Sequence, residues 1–571
     1  MFLKTKTNKI VSKSKYSFWS VVVFVFLFTI NLLPAIVLAV EGSAFSDSFV
    51  KKIGLILLST LFFLIPFLFF KIRTSFIING ISLIFAPIEI VHILIYKASI
   101  NASFIMLALQ TDFHEVVELL LSFKLFIFIA IFLYISYFFV TIKYSLTQYL
   151  FSTGNRKWFY GSAIIIISML YMYGYYINFT ISRHPITAFT SSNQTFYNKL
   201  TFIYPLNLIT TTNYAFKTNK DVNESSQALN DFSFNAKSGN NPDQKEVYVL
   251  IIGETARFSN FSINGYPRQT NPQLSQLGNI ASFRNVLAEA CNTQIALPTI
   301  LTRSTATNFD VYKSEKSVVE AFKEAGFSTY WIANQSTNYP LIRRIFKQCD
   351  ESFITTKDYD SVENYDGNLF PSIDSVLAKN DKKQFIVIHT LGSHFRYNFR
   401  YPEAFRKFRP DFEGAFGYDL LTESNKQQLI NSYDNSILYT DFFISTFIRK
   451  VENLNTHSFV YYLSDHAENM FEDGKILHGT TPNYYTMHIP LIVWYSDLYK
   501  VQNEEIVQNI NKNIYKKISA SVSFNSLLQL GGIDFDGQSF EKSIASEKLK
   551  SDSIHYSLSP DKVLFTFRYK K

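Results

Sequence analysis

The chain has 571 residues, 47% hydrophobic and 17% aromatic, with 57 Phe, 35 Tyr and a formal net charge of +8. That length implies more than one domain, and a mean hydropathy just above zero argues against a wholly soluble protein. Two cysteines exclude a disulfide scaffold. The basic balance forms no stripe in the polar part, so anionic lipid suits it better than nucleic acid.

The apolar residues are concentrated at the start of the chain. Ser17–Val40, Ile53–Phe70, Phe76–Tyr96, Leu125–Ile142 and Trp158–Ile181 each have about the length, roughly 17–25 residues, that crosses a hydrocarbon core as a helix. The first window ends in "VLAVEG", small residues of the kind a signal peptidase cuts. It is too long for a signal-peptide core and more spans follow, so it reads as an uncleaved helix.

Lys4, Lys6, Lys9, Lys13, Lys15, Lys71, Arg73, Lys143, Arg156 and Lys157 fall on one side of these spans. The other side has Lys51, Lys52, Lys97 and Lys124. The positive-inside rule then puts the N-terminus in the cytoplasm and, after five spans, everything past Ile181 on the far side. Glu89 and His92 lie within the third window, and ionisable groups inside a membrane are functional candidates by default. They are the basis of a non-enzymatic reading, a membrane sensor with a metal-binding outer domain. Unbroken apolar spans argue against a transporter.

From Arg183 to Lys245 the chain is polar and irregular, with amphipathic pieces such as "FYNKLTFIYPLNLI" suited to a bilayer surface. From Glu246 short β-branched and aromatic runs alternate with helix-length stretches, the pattern of a largely parallel sheet covered by helices on both faces. The expected domains are therefore a transmembrane domain (1–182), an interfacial linker (183–245) and an exported α/β domain (246–571).

Four of the strand-like runs end in chemically useful residues. "VYVLIIGET" delivers Glu254, "TYWIANQS" Asn334, "IVIHTLGSH" His394, and "VYYLSDH" Asp465 and His466. Sites in open α/β sheets form at the carboxyl ends of the strands. Two carboxylates and an imidazole suit zinc, and manganese less well. Thr293, in "ACNTQIALPTILTR", begins an apolar helix-like run, where backbone N–H groups can hold a phosphate oxygen. A metal beside its hydroxyl would lower the hydroxyl's pKa and make it a nucleophile. His394 and His478 remain to bind a second metal, or to hold the phosphate and protonate a leaving group. Singly, Glu254 is a solvated loop residue and Thr293 a helix cap; it is the set, in order and at strand ends, that indicates a metal site.

The strings "IIGETAR", "HTLGSHFRYNFRYP", "NSYDNSILYTDFFI" and "YYLSDHAENMFEDGKILHG" resemble the phosphoethanolamine transferases, which include the lipid A-modifying and mobile colistin-resistance enzymes. The resemblance implies five membrane helices, a periplasmic domain of alkaline phosphatase/sulfatase type and a bacterial inner-membrane location. It implies Zn2+ on Glu254, Thr293, Asp465 and His466, with Thr293 the nucleophile. His394 and His478 match substrate or second-zinc histidines, Arg400 a donor-contacting arginine, and Thr111 and Glu115 the membrane-side donor contact; Asn334 joins the expected substrate contacts. The implied reaction moves phosphoethanolamine from phosphatidylethanolamine, through a phosphothreonine, to lipid A or the core oligosaccharide, in a protein acting as a monomer. Glu289 and Thr299 stand where relatives carry cysteines, and Leu107 where some carry Asn. Sulfatase activity needs a Cys or Ser in a C/S-x-P-x-R string, which "CNTQI" lacks. Phosphoglycerol transferases share the spans and the threonine but match "GSH" and "SDHAE" less well.

Overall fold

The computed structural model describes residues 18–42, 49–96, 98–100, 104–105, 124–151, scattered positions from 155 to 176, 202–213, 216, 229, 231–335, 340–355, 364–413, 421–560 and 562–568. The chain divides into two compact units, one of Met1–Ile100 with Phe123–Thr211 and one of Asn101–Ser122 with Thr212–Lys571.

In the first unit α1 (Phe18–Glu41), α2 (Phe49–Phe69) and α5 (Lys124–Tyr144) form long apolar helices. The third window, expected as one helix, is broken into α3 (Ile72–Ser82) and α4 (Ala86–Tyr96), which meet at 50°. Pro87 explains the break, since its ring clashes with a carbonyl one turn back and it has no N–H to donate. Three-residue turns take over there, with Leu83 N–H donating to the Gly80 carbonyl and Ala86 N–H to that of Leu83. Among the described residues, three helices are long and apolar enough to cross a membrane, or four with the bent pair as one span. Half of the fifth window lies outside the described residues, as do Thr111 and Glu115. Phe24, Phe67 and Phe76 pack edge to face in the middle of this unit. Glu89 is buried and accepts from the Asn207 amide at 3.0 Å, and His92 Nδ1 lies 2.8 Å from the Ala98 carbonyl.

The second unit is built on a seven-stranded sheet. Its strands in chain order are β1 (Glu246–Gly253), β2 (Ile280–Phe283), β3 (Ser328–Ala333), β4 (Glu351–Ile354), β5 (Lys383–His389), β6 (His457–Ser464) and β7 (Leu491–Tyr495). They lie side by side as β2-β7-β6-β1-β5-β3-β4. The sheet is mixed: β6, β1, β5, β3 and β4 pair in parallel, whereas β7 is antiparallel to both β6 and β2. Every residue of β1 and β6 is buried, as expected of strands covered on both faces. Tyr248, Leu250 and Ile252 of β1 share one face with Phe459, Tyr461 and Leu463 of β6 and join the main core there. The end of the segment read as a linker belongs to this unit: Phe234 is buried in the same core, and Lys237–Ser238 pairs with Ile533–Asp534.

Register decides where the site forms. Ile252 stands opposite both His389 and Leu463, Ala333 opposite His389, and Gly253 opposite Ser464. The residues that follow, Asn334, Thr390, Glu254 and Asp465, therefore leave the sheet at one level. Gly253 also lets β1 pass Tyr462, because a Cβ there would lie 2.6 Å from the Tyr462 hydroxyl oxygen and 2.8 Å from the ring. A Gly253→Ala protein is expected to lose about 1–3 kcal/mol, the cost of overpacking a closed core. The loss should lower the unfolding midpoint of the full chain, followed by intrinsic fluorescence; an unchanged midpoint contradicts the packing argument.

Candidate metal centre

Four segments supply the site. Glu254 follows β1, Asp465 and His466 follow β6, and Thr293 is the first residue of α6 (Thr293–Leu301). His478 lies on the loop after β6, where Leu477 takes a left-handed conformation with φ 61°. Asn292 is extended and its carbonyl accepts from Ala296 N–H at 3.0 Å, which starts α6 directly after it and holds Thr293 at the helix tip.

His466 Nε2 is the centre of the cluster. It lies 3.4 Å from Glu254 Oε1, from Asp465 Oδ2 and from Thr293 Oγ1. The Thr293 hydroxyl also donates to Glu254 Oε2 at 3.1 Å. A separation of 3.4 Å is long for a hydrogen bond. It is about what four ligands around a tetrahedral ion show, because bonds of roughly 2.0–2.1 Å put neighbouring ligand atoms about 3.4 Å apart. Ligand-type atoms of Glu254, His466 and His478 all lie within 4.8 Å of one another.

Two further observations fit a cation. Asp465 Oδ2 is buried and has no hydrogen-bond partner among the described residues. His466 Nδ1 lies 3.1 Å from the Ala467 carbonyl, so its N–H points there and the Nε2 lone pair faces the site. The burial cost is also visible: loss of solvent, and after it the neighbouring Asp465, push the Glu254 carboxyl well above the usual range. A divalent ion removes that penalty, and the residues present fit zinc.

The backbone is strained next to the ligands. Thr255 has φ 60°, a left-handed conformation that costs energy for a branched side chain. It is held by Thr255 N–H to Asp465 Oδ1 (3.2 Å), Thr255 Oγ1 to Glu254 Oε1 (2.6 Å) and Tyr433 hydroxyl to the Thr255 carbonyl (2.7 Å). These bonds fix Asp465 Oδ1 and Glu254 Oε1, while Asp465 Oδ2 faces His466 and Glu254 Oε2 faces Thr293.

The structure brings Glu254, Thr293, Asp465, His466 and His478 together. His478 Nδ1 lies 3.1 Å from Glu468 Oε2, which also accepts from the Tyr397 hydroxyl at 2.9 Å. The next residue, Gly479, donates its N–H to the Cys291 carbonyl at 2.9 Å, tying this loop to the segment before Thr293. His394 is half-buried, and dehydration, then the nearby Arg400 charge, hold its imidazole well below the usual range. Asn334 turns its amide to Asp366 Oδ1 at 3.2 Å, while the neighbouring Gln335 donates to Glu254 Oε2 at 3.0 Å. Arg400 donates to the carbonyls of His394 (3.3 Å) and Phe395 (3.1 Å). Gln335, Glu468 and Asp366 went unnoticed in the sequence. Glu468 alone had a signal there, as the third residue after Asp465 in "DHAE".

Cys291 and Cys349 are free thiols. Glu289 accepts from Ser519 Oγ at 2.7 Å and from Ala306 N–H, fastening the segment before Thr293 without a cross-link.

Residues 246–533 match the sulfatase family. Over 334 residues the chain is 28% identical to the phosphoethanolamine transferase EptC of Escherichia coli K12, covering 56% of each. The chain thus spans about half the length of the curated relatives it matches. The zinc-complexed C-terminal periplasmic domain of EptC from Escherichia coli superposes with a TM-score of 0.51 at 26% identity, over 57% of this chain and 92% of that one. The integral membrane lipooligosaccharide phosphoethanolamine transferase A of Neisseria meningitidis gives a TM-score of 0.70 at 24% identity, over 92% of this chain and 98% of that one, a likeness of fold.

Because burial favours the protonated Glu254 carboxyl, a cation entering the site expels a proton. Zinc affinity is therefore expected to rise with pH. Titration calorimetry of the metal-free full chain, in buffers of different ionisation enthalpy, should show net proton release on zinc binding. A heat independent of buffer contradicts this.

Proposed function

Since this chain belongs to the sulfatase family, we propose that it uses the family's metal site for phosphoryl-group transfer, as a zinc-dependent phosphoethanolamine transferase at the periplasmic face of a bacterial inner membrane. The observation that carries the reading is the Thr293 hydroxyl, 3.1 Å from Glu254 Oε2 and 3.4 Å from His466 Nε2 at the tip of α6. The names of the relatives supply the group transferred.

A zinc ion held by Glu254, Thr293, Asp465 and His466 would acidify the hydroxyl it touches and neutralise charge developing on the phosphoryl oxygens. The protein residues do the rest. Glu254 accepts the Thr293 hydroxyl proton and so turns the Oγ1 lone pairs outward. Thr293 Oγ1 attacks the phosphorus of phosphatidylethanolamine; the new P–O bond replaces the one to diacylglycerol, whose oxygen takes up a proton. His478, oriented through Nδ1 by Glu468, presents Nε2 as the proton donor for that oxygen. The neutral His394 imidazole adds a hydrogen-bonding group without adding charge. In the second half an acceptor oxygen, on lipid A or the core oligosaccharide, attacks the same phosphorus, the P–O bond to Thr293 breaks and Oγ1 takes back its proton from Glu254, while His478 regains its proton from the acceptor hydroxyl or from water. Thr111 and Glu115 are proposed to hold the donor lipid on the membrane side. Five spans with the N-terminus in the cytoplasm would confine the enzyme to the surface where both lipidic substrates lie, raising their effective concentration.

Thr293→Ala is expected to lower transfer from phosphatidylethanolamine by roughly three orders of magnitude or more while leaving the protein folded. Mass spectrometry of wild-type protein incubated with donor alone should find phosphoethanolamine on the Thr293 peptide. Transfer from phosphatidylglycerol but not phosphatidylethanolamine would replace the donor assignment, and full activity of Thr293→Ala would end the covalent mechanism.

A further inference from the structure

The loop 390–395 carries His394 and lies against the backbone of Glu254. Ser393 N–H donates to the Glu254 carbonyl at 3.0 Å, and Thr390 N–H donates to that of Ile252 at 3.0 Å. Gly392 has φ 52°, and a Cβ there would be 2.9 Å from both Glu254 N and Glu254 O. The approach leaves no slack, so any movement of the loop moves the metal carboxylate.

Two buried, oppositely charged side chains grip this loop. At its start, Asp366 Oδ1 accepts from Leu391 N–H at 2.7 Å and Oδ2 from Gly392 N–H at 2.9 Å. At its end, Arg400 Nε and Nη2 donate to the carbonyls of His394 and Phe395. A carboxylate is thus set on the peptide N–H groups and a guanidinium on the peptide carbonyls, each matched to the sign of the dipole it meets. Asp366 also accepts from Asn334 at the tip of β3, so it joins that tip to the loop after β5.

We infer that Asp366 and Arg400 form an electrostatic clamp on loop 390–395, acting as positioning residues that hold Glu254 and His394 in register for the reaction. Neither needs to touch the reacting atoms. The kinetic arm of the test rests on the transferase reading; the exchange and metal arms do not.

The test compares full-length wild type with Asp366→Asn in detergent. The amide puts an NH2 against one of the two N–H donors, so one hydrogen bond and the charge are lost at constant shape. The expected result is a kcat lower by roughly 10–100-fold with KM for phosphatidylethanolamine little changed, as for other supports of metal ligands. Zinc affinity, measured by competition with a chromophoric chelator, should fall alongside, and the peptide bearing Leu391 and Gly392 should exchange its amide hydrogens faster. Wild-type kcat overturns the clamp, and so does faster exchange without loss of kcat, which would mark the contacts as structural only. Should wild type itself transfer nothing from phosphatidylethanolamine, the transferase reading falls, and zinc affinity takes the place of kcat. Faster exchange with weaker zinc binding then sustains the clamp, and unchanged zinc binding overturns it. If Asp366→Asn does not fold, Arg400→Lys probes the other end. Its single ammonium cannot span both carbonyls, so the same pattern is expected, and wild-type kcat and exchange there overturn the clamp.

Discussion

Two carboxyl groups buried side by side at the tips of adjacent strands constrain the whole site. Glu254 and Asp465 are almost completely removed from water, and two charges of one sign at close range in a poorly polarisable interior cost several kcal/mol unless a cation or a proton intervenes. Among the described residues no lysine or arginine forms an ion pair with either carboxylate. The protein spends one oxygen of each carboxylate on hydrogen bonds from Thr255 and leaves the others facing His466 and Thr293. A site left in that condition fits a divalent cation, with the Thr293 hydroxyl against one of the same carboxylates.

The sheet makes this arrangement affordable. Because β6 and β1 are parallel neighbours with Gly253 opposite Ser464, Glu254 and Asp465 are adjacent by register rather than by loop conformation. The sheet's own hydrogen bonding continues past the strand ends, with Asp465 N–H donating to the Gly253 carbonyl and Asn334 N–H to that of His389. Strain at Thr255 and the close approach of Gly392 are tolerable only because the surrounding strands cannot yield.

Much of this could be read along the chain. Strands fully buried on both faces are continuous apolar runs, so β1, β3, β5 and β6 stood out and their last residues could be counted off. Thr293 was legible because an apolar helical run begins at it. Other features were hidden for identifiable reasons. The break between α3 and α4 was obscured by unbroken hydrophobicity on either side of Pro87. The direction of β7 is set by its partners and has no local signature. Phe234 is one of two phenylalanines in a polar stretch, and its burial depends on residues about three hundred positions away in the core around Phe524 and Phe535. Asp366 sits in an irregular segment, and an acid there looks like any solvated turn residue until the loop it grips is brought to it.

The sequence by itself determined the composition of the site and the parts that would carry it, because apolar periodicity and strand length are local properties that place Glu254, Asp465 and His466 at strand ends and Thr293 at a helix start. Only the tertiary structure decided which oxygens remain unpaired, that Gln335 rather than Asn334 reaches the metal carboxylate, and that Asp366 and Arg400 close on one loop. Those outcomes depend on distances of a few tenths of an ångström between segments far apart in the chain, and such distances are fixed by packing and sheet register, which no short stretch of residues encodes.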